Sequence, residues 1–503
     1  MRRIWLMQWV VIAACVVCTP SVGAAERPNV LFIAVDDLKP TIGCYGDDLA
    51  VTPNLDRLAA RGTLFERAYC MQAVCSPSRN GVLTGLRPQT LEIYDLGTNF
   101  RKSVPNVVTL PEHFKNHGYK TEALGKIFHV GHGNHEDPAS WSVPHWRAKT
   151  VHYVLPENTA ELTREEARFE NKRLGKVNKL PRGAPVEAAD VPDETYADGK
   201  IAREAVRRLQ AAKDNPDQPF FLAVGFLKPH LPFCAPQKYW DLYDPGELPL
   251  PERHAPPEGA PPFAPTNWGE LRQYKGIPKN GPLETATMRR MIHGYYAATS
   301  YMDAQLGLML DELDRLGLAD ETVIVLWGDH GWHLGDHGMW CKHTNYEQAT
   351  HAPLLFVAPG QRPATRSRDI VEFVDIYPTL CDLAGLEPPA HLQGDSLAAV
   401  VRGDESTGDD IETDGFALQV YPRRTKETGP MLGHALRSDR YRYVEWQQRD
   451  GSIVARELYD LKNDPGETAN LAARPEMASV VSEHSAMVGA QLAKPDPPGL
   501  TGK

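Results

Sequence analysis

Cys75 has the sequence context of a reactive cysteine. It begins the segment Cys75-Ser76-Pro77-Ser78-Arg79, and Leu83-Thr84-Gly85 follows shortly afterwards. If Pro77 and Ser78 open a helix, Cys75 lies just before the first turn, where free N–H groups and the helix dipole favour negative charge. Arg79 adds a permanent positive charge, so we expect an acidified thiol. The alternative is a buried structural cysteine, which is the commoner fate of a single Cys.

A second group of polar side chains lies at or just after the ends of segments that we predict to be strands. Its members are Asp36, Asp37, Lys126, His129, His230, Asp329, His330 and, a little further on, Lys342. Open α/β sheets bind ligands at the carboxyl ends of their strands, so these side chains are expected to share one pocket with Cys75 and Arg79. The adjacent carboxylates Asp36 and Asp37 suit a hard cation such as Ca²⁺ or Mg²⁺, and the alternative for them is a solvated turn.

The hydrophobic pattern predicts an α/β fold. Apolar runs indicate a buried parallel strand at Asn29–Val35, further buried strands at Phe220–Phe226 and Thr322–Trp327, and a short strand at Pro353–Val357. Helical periodicity appears at 195–213 and 288–316, whereas 135–194 lacks periodicity and is predicted to be a long surface excursion near the pocket entrance. Short strands follow Tyr421. We therefore predict a large, mostly parallel central sheet flanked by helices, with a smaller C-terminal antiparallel sheet packed on a helix.

The N-terminus has the pattern of a signal peptide. Arg2 and Arg3 precede an apolar run, and small residues follow at Gly23-Ala24-Ala25. We predict a signal peptide at 1–25, a catalytic domain at 26–425 and a C-terminal subdomain at 426–503. The protein is expected to be exported, periplasmic or secreted. No stable membrane insertion is expected after cleavage, because no later run reaches about 18 apolar residues.

Charge and cysteine content narrow the function classes. The net charge of −11 over 503 residues argues against a nucleic-acid-binding surface. Any anion site must therefore be a local basic pocket in an acidic protein. Six cysteines follow the predicted signal peptide, namely Cys44, Cys70, Cys75, Cys234, Cys341 and Cys381. None of them forms a Cys-x-x-Cys pair, so a zinc site is not expected, and the sequence assigns no disulfide.

The Cys-x-Pro-Ser-Arg motif with its Leu-Thr-Gly extension resembles the modification motif of type I sulfatases. These are formylglycine-dependent enzymes of the alkaline-phosphatase-like superfamily. Further motifs lie in the matching order, namely Asp36-Asp37, GKIFH, FFLAVGFLKPHLPF, GDHGWHLGDHGMWCKH, ATHAPLLFVAPG, VDIYPTLCDLAG, YRYVEW and ELYDLKNDP. The resemblance runs from about Pro28 to Leu471 and is closest to the iduronate-2-sulfatases.

The resemblance implies a cofactor set and a role for each residue. Cys75 would be oxidised to Cα-formylglycine by a separate maturation enzyme. It would then join Asp36, Asp37, Asp329 and His330 around one divalent cation, Ca²⁺. Arg79, Lys126 and Lys342 would neutralise the sulfuryl oxygens. His230 or Lys342 would protonate the leaving alcohol, and His129 would act as the base that releases sulfate from the sulfated enzyme.

The substrate class follows from the resemblance as well. A sulfated carbohydrate is expected, through exo-acting removal of a 2-O-sulfate from a terminal uronic acid in glycosaminoglycan degradation. Tyr94, Asp95 and Trp332 are candidate sugar contacts, and each is equally suited to packing. Three alternatives remain open: a sulfatase for another sulfated polysaccharide, a phosphomonoester or phosphonate hydrolase of the same fold, and an inactive glycan-binding homologue.

Overall fold

A mostly parallel β-sheet forms the centre of the fold in the computed structural model, which describes residues 27–148, 152–172, 174–403 and 415–500. The predicted signal peptide at 1–25 lies outside the described residues. The strands are β1 Asn29–Val35, β2 Thr63–Tyr69, β3 Lys120–Gly125, β4 Val186–Ala189, β5 Phe220–Phe226, β6 Phe233–Pro236, β7 Thr322–Gly328, β8 His333–Leu334, β9 Trp340–Cys341, β10 Leu354–Val357, β11 Thr365–Glu372, β12 Phe416–Thr425, β13 Gly429–Ser438, β14 Tyr441–Gln448 and β15 Ile453–Asp460.

The helices fill the intervals between these strands. They are α1 Pro53–Arg61, α2 Cys75–Thr84, α3 Pro88–Leu91, α4 Leu110–Asn116, α5 Pro156–Thr159, α6 Arg164–Phe169, α7 Leu174–Val177, α8 Ala197–Lys213, α9 Gln237–Trp240, α10 Thr285–Leu316, α11 Glu347–Thr350, α12 Ile376–Leu383, α13 Ala398–Arg402 and α14 Ala478–Leu492. The strands and long helices expected from the hydrophobic pattern are therefore present, with ends that differ by a few residues.

The central sheet places one set of strand ends at a common edge. Within the described residues it has seven strands in the order β11-β2-β10-β7-β1-β5-β3. β1 pairs in parallel with both β5 and β7, and β3 pairs in parallel with β5. Only β10 runs antiparallel to its neighbours among these strands. The carboxyl ends of β1, β3, β5 and β7 consequently lie side by side, which is where this class of sheet binds ligands.

Both faces of the sheet are covered by helices. Alternate side chains of β1 point to opposite faces. Phe32 packs into the core that contains α2, α4 and α12, whereas Ile33 packs into the core formed with α8 and α10. Burial on both faces explains why β1 is a continuous apolar run rather than an alternating one. The predicted α/β fold is confirmed.

The C-terminal part forms a separate antiparallel sheet. β12, β13, β14 and β15 pair in sequence order, and α14 packs on β13 and β14. This sheet begins at Phe416, ten residues before the subdomain boundary expected from the sequence.

The six cysteines of the described chain are all buried and free. None of its helices is long and apolar enough to cross a bilayer.

The described residues of the excursion at 135–194 lie over the sheet edge. They include α5, α6, α7 and β4, and β4 pairs with β6. Thr163 begins α6 with a reciprocal capping box to Glu166, which fixes this short helix. Beyond α6, Asn171 accepts a hydrogen bond from Gly133 N–H at 2.8 Å and donates to the Asn134 carbonyl at 2.9 Å. The excursion is thereby fastened to the loop that follows β3.

Candidate active site

The strand ends bring together the polar side chains that the sequence singled out. Asp36 and Asp37 follow β1, Lys126 and His129 follow β3, His230 follows β5, and Asp329 and His330 follow β7. Each of these side chains belongs to a residue that is at most 8% exposed, as do Cys75, Arg79 and Lys342. Charged groups are almost never buried unless they are paired, so their collection here indicates a site rather than a packing arrangement.

Cys75 is the first residue of α2 and lies at the centre of this group. Its Sγ is 3.3 Å from His330 Nε2 and 4.0 Å from Asp37 Oδ1. The expectation of an acidified thiol is wrong. Burial raises the pKa of Cys75 well above its ordinary value, and Asp36 and Asp329 add to this, against the opposing charges of Lys126 and Lys342. The unmodified thiol is therefore a poor nucleophile at this position.

Arg79 holds three strand ends together from one turn along α2. Its Nε donates to Asp329 Oδ2 at 2.8 Å and its Nη2 donates to Asp36 Oδ1 at 3.2 Å. Its Nη1 donates to the carbonyls of Lys126 and Ile127. The planar guanidinium suits this task because its donors point in fixed, divergent directions. Arg79 therefore positions both carboxylates and the chain that carries Lys126.

Three carboxylates and an imidazole form a donor set for a cation. Oxygen atoms of Asp36, Asp37 and Asp329 lie within 4.8 Å of one another, and so do donor atoms of Asp37, Cys75 and His330. His330 Nδ1 contacts the Gly331 carbonyl at 2.9 Å, which assigns the proton to Nδ1. Nε2, 3.3 Å from Asp37 Oδ1, is then unprotonated and able to bind a cation. An oxygen-rich, buried set of this kind fits one hard divalent cation.

The two adjacent aspartates differ in how their charge is balanced. Burial alone would raise both pKa values. Lys126, His230 and Arg79 nevertheless hold the pKa of Asp36 well below its ordinary value. For Asp37, burial outweighs the charges of His230, Lys342 and His330, and its pKa stays raised. The Asp37 carboxylate is thus the one whose charge the protein's own cations leave incompletely balanced.

Lys126 reaches the site because two strands approach each other closely behind it. Gly125 has φ +75°, and a Cβ there would lie 2.1 Å from the Gly225 carbonyl oxygen. A Cβ on Gly225 would lie 1.9 Å from the Lys126 carbonyl oxygen. Only glycine fits at both positions. The crossing turns Lys126 inward, where its Nζ forms an ion pair with Asp36.

His230 and Lys342 face each other across a carboxylate that the sequence analysis missed. Glu270 accepts from His230 Nε2 at 3.1 Å and from Lys342 Nζ at 3.1–3.2 Å. Lys342 also contacts both oxygens of Asp37, at 2.9 and 3.0 Å. His230 Nδ1 contacts the Leu231 carbonyl, so both ring nitrogens face acceptors and the ring is held as an imidazolium. Although burial opposes it, the carboxylates, Asp37 foremost, raise the pKa of His230.

The three sugar-contact candidates occupy different environments. Trp332 is buried in the core, and its ring lies 5.0 Å from Lys342 Nζ in a cation–π contact. Asp95 is exposed, and its Oδ1 accepts from the N–H groups of Gly97 and Thr98. Tyr94 is half-buried and its carbonyl accepts from Gln72. Trp332 therefore supports Lys342, and a sugar contact for any of the three stays a prediction.

Two further residues beside the site were also not anticipated. His132 Nδ1 lies 3.1 Å from His129 Nε2. The half-buried ring of Phe169, at the end of α6, lies 5.6 Å from the His230 ring and 5.9 Å from Lys126 Nζ. The capping-box pattern at Thr163 and Glu166 could have predicted α6 from the sequence. Nothing in the sequence indicated where that helix would pack.

Comparison with known proteins gives a consistent result. The sulfatase family model matches residues 28–386, and a model of the N-sulphoglucosamine sulphohydrolase C-terminal region matches 335–493. Human iduronate 2-sulfatase is 33% identical, with 90% of this chain and 92% of that protein covered. Among solved structures, BT4656 in complex with D-glucosamine-2-N,6-O-disulfate has a TM-score of 0.72 at 21% identity, covering 93% of this chain and 97% of that one.

A phosphonate monoester hydrolase from Silicibacter pomeroyi also has a TM-score of 0.72, at 22% identity, with coverage of 93% of this chain and 96% of that one. Because both solved structures are less than 25% identical to this chain, they show only that the fold is shared. The family match over most of the chain, together with the buried Cys75 site at the strand ends, identifies the molecule. This chain belongs to the sulfatase family and hydrolyses sulfate esters.

Proposed function

We propose that this sulfatase removes a 2-O-sulfate from the terminal uronic acid of a sulfated glycan. The observation that carries the proposal is the contact of His330 with Cys75 and Asp37, at 3.3 Å to each. A histidine at this position is the iduronate-2-sulfatase variant of the site, whereas many sulfatases have asparagine there. The 33% identity to an enzyme named iduronate 2-sulfatase supports the same assignment.

The burial of the site supports action at chain ends. Glu270, with a side chain that is 18% exposed, is the most open of the charged groups around Cys75. The ring of Phe169 packs against the rings of His132 and His230 beside this group. A terminal sugar can enter such a pocket alone, whereas a sulfate in the middle of a chain needs a groove that is open on both sides.

Two groups complete the proposed site. Asp36, Asp37, Asp329 and His330 would hold one Ca²⁺, and Cys75 would be converted to Cα-formylglycine by a maturation enzyme after export directed by residues 1–25. When both are present, the hydrated aldehyde supplies the attacking oxygen and the cation polarises it. The sulfate ester of a plain serine would need a separate hydrolysis step. The sulfate ester of an aldehyde hydrate would keep a second hydroxyl, and loss of its proton would re-form the carbonyl as the C–O bond to sulfate breaks.

The protein's own side chains supply the remaining chemistry. Arg79, Lys126 and Lys342 stabilise the negative charge on the sulfuryl oxygens as the S–O ester bond breaks. His230 gives the proton on its Nε2 to the departing alcohol oxygen, and Lys342 is the other candidate for this role. His129 accepts a proton when sulfate is released. Burial is the main cause, and the charge of Lys126 the second, that keeps the pKa of His129 well below its ordinary value. The His129 ring is therefore neutral before the reaction.

The test combines a chemical and an enzymatic measurement. The protein is produced together with a formylglycine-generating enzyme, and the Cys75 peptide is analysed by mass spectrometry. Sulfate release is then measured for oligosaccharides with a terminal 2-sulfated uronic acid, with the same residue placed internally, and with a 6-sulfated hexosamine. We expect release from the first substrate alone. Equal release from the internal position would overturn the exo assignment.

Four controls separate the alternatives. A phosphonate monoester in the same assay tests the hydrolase chemistry of the structural neighbour from Silicibacter pomeroyi. Calorimetric titration of metal-free protein with Ca²⁺ and with Mg²⁺ tests the cation. Asp329→Asn removes one carboxylate and is expected to weaken Ca²⁺ binding at least tenfold. A Cys75→Ala enzyme that retained full activity would refute the assigned nucleophile.

A further inference from the structure

His132 makes a specific contact with the proposed base. Its Nδ1 lies 3.1 Å from His129 Nε2, and the two ring planes are inclined by 30° with centroids 5.2 Å apart. His132 has φ +54°, a left-handed conformation that few residues other than glycine adopt without cost. Such strain is retained where the surrounding structure requires it, often at functional sites.

The backbone around His132 is held in place on two sides. Its N–H donates to the Arg168 carbonyl at 3.2 Å, which fixes it to the end of α6. The edge of its ring faces Phe169. On the other side, Asn134 Nδ2 donates to the Thr98 carbonyl at 3.2 Å, which joins the loop to the turn closed by Asp95. These backbone and side-chain contacts therefore fix the position of the His132 imidazole next to His129.

The contact with His132 occupies one ring nitrogen of His129 and leaves the other available to accept a proton. Nε2 is engaged by His132, whereas Nδ1 is buried and has no hydrogen-bond partner in the described chain. Lys126 and Arg79 are the cations that face this ring, and Asp36 is the anion. A lone pair on Nδ1 is favourable beside two cations, whereas an N–H there would be a buried donor without an acceptor. The proton of neutral His129 is thus favoured on Nε2.

The surroundings of His132 favour a neutral ring whose Nδ1 can accept a hydrogen bond from His129. Arg168, Lys126 and His230 face its ring as cations and Glu270 faces it as an anion. Burial is the main cause that lowers the pKa of His132 to about 4, so the ring is neutral at neutral pH. With Nδ1 accepting from His129, its own proton sits on Nε2. One arrangement then satisfies both rings.

We propose that His132 is a positioning residue that fixes the tautomer of His129: its Nδ1 accepts the hydrogen bond from His129 Nε2–H, which leaves the Nδ1 lone pair of His129 to take the proton when sulfate is released. The inference rests on the proposed function, in which His129 is the base. No electron transfer is involved. The proton moves from a hydroxyl of the aldehyde hydrate to Nδ1 as the carbonyl forms and the bond to the sulfate oxygen breaks.

The tautomer can be measured without catalysis. In Cys75→Ala protein labelled with ¹⁵N-histidine no aldehyde can form, and two-bond ¹⁵N–¹H correlations report which ring nitrogen carries the proton. His129 is assigned by the loss of its signals in Cys75→Ala/His129→Gln protein. We expect an unprotonated Nδ1 on His129. A proton on Nδ1 would overturn the inference whether or not the enzyme releases sulfate.

Two substitutions then separate positioning from folding. His132→Asn keeps an acceptor near the place of Nδ1, and His132→Gly removes it. Asparagine and glycine both tolerate φ +54°. In the modified enzyme we expect His132→Gly to lower kcat about 100-fold with little change in KM, because a base in the wrong tautomer contributes nothing. His132→Asn is expected to recover most of this loss.

The outcomes distinguish this inference from the proposed function. If the wild-type enzyme releases no sulfate from any sulfated substrate, the proposed function fails, and the tautomer measurement still decides the geometry. If sulfate is released and His132→Gly retains the wild-type kcat, His132 has no positioning role and the inference fails alone. Equal losses of kcat in both variants would likewise contradict it, because only one of them lacks the acceptor.

Discussion

Arg79 shows how a single side chain can define this site. Its guanidinium is fully buried and serves Asp36, Asp329 and two carbonyls at once. A lysine keeps the charge, but its three N–H donors all lie on one nitrogen, so it cannot reach the four acceptors that surround the planar guanidinium. The energetic consequence is large because any acceptor left without a donor remains buried.

We therefore predict that Arg79→Lys lowers kcat/KM at least 100-fold and the free energy of unfolding by about 3–5 kcal/mol, as for a broken buried pair. Denaturant unfolding and sulfate-release kinetics measure the two effects. Arg57→Lys is the matched control, because Arg57 pairs with Asp311 at the surface, where the arginine side chain is 35% exposed and the aspartate side chain 67% exposed. It should change stability by less than about 1 kcal/mol. A similar loss in both variants would contradict the prediction.

Glu270 is one of the carboxylates that set the alkaline limb of activity. His230 must hold a proton to protonate the leaving alcohol, and its raised pKa keeps that proton above the ordinary range of histidine. Activity is thus present below this pKa and is lost as pH rises through it. Glu270→Gln removes one of the carboxylates that favour the charged ring.

The expected result for Glu270→Gln is an alkaline limb of kcat that moves to lower pH, with roughly tenfold lower activity beyond the new limb. The pH profile of sulfate release measures it. Glu122→Gln is the control. It removes a buried carboxylate in the first half of β3 that pairs with Arg208, and the alkaline limb of this variant should coincide with that of the wild type. An unmoved limb in Glu270→Gln would show that this carboxylate does not act on His230.

At the scale of elements, the crossing of β3 and β5 positions Lys126. Gly125→Ala would place a methyl group 2.1 Å from the Gly225 carbonyl oxygen and would also be strained at φ +75°. We expect it to destabilise the protein by several kcal/mol through steric displacement of the strand ends, and to lower kcat/KM at least 100-fold because Lys126 moves with them. Thermal unfolding and kinetics on the same preparation measure both effects.

Gly118 provides the matched control for this element. It has φ +88° as well, but a methyl group at this position would have nothing within 4 Å. Gly118→Ala therefore isolates the cost of backbone strain, about 1–2 kcal/mol, from the cost of collision. If the two substitutions destabilise equally, the close approach of β3 and β5 does not determine the position of Lys126.

The elements also explain what the sequence could predict. β1, β5 and β7 are continuous apolar runs because both of their faces are buried, and the polar residues within a few positions after each run had to lie near the sheet edge. Glu270 could not be found this way, because it belongs to an irregular segment whose position depends on tertiary contacts. His132 lies in a loop and Phe169 on the short helix α6, and both were missed because their positions also depend on tertiary contacts. Cys75 was correctly placed, but its pKa depends on burial, which the local motif does not reveal.

At the scale of the whole molecule, one buried ion network joins the two sheets. Glu347 at the start of α11 accepts from Arg437 on β13 at 3.3 Å and pairs with Arg442 on β14. Tyr69 at the end of β2 donates to the same carboxylate at 2.7 Å. Arg442 also pairs with Glu467 at 2.9 Å. The C-terminal sheet is therefore fastened close to the segment that carries Asp329 and Lys342.

The two carboxylates of this network respond to pH in opposite directions. Against the effect of burial, Arg442 and Arg437 lower the pKa of Glu347 from 4.5 to about 2. Glu347 thus contributes about 3 kcal/mol of stability above pH 4.5, which is lost as pH falls towards 2. Burial raises the pKa of Glu467 from 4.5 to about 7, so its ionisation costs stability as pH rises through that interval.

We predict that Glu347→Gln destabilises the protein by about 3 kcal/mol at pH 7, and that the difference from the wild type disappears as pH approaches 2. Glu467→Gln, which mimics the protonated acid, should instead gain stability relative to the wild type as pH rises from 4.5 to above 7. Urea unfolding across this pH range measures both curves. Because the variants share Arg442 as a partner, a common loss of packing would shift both curves in the same direction. Opposite slopes arise only if the pKa values of the two carboxylates are shifted in opposite directions.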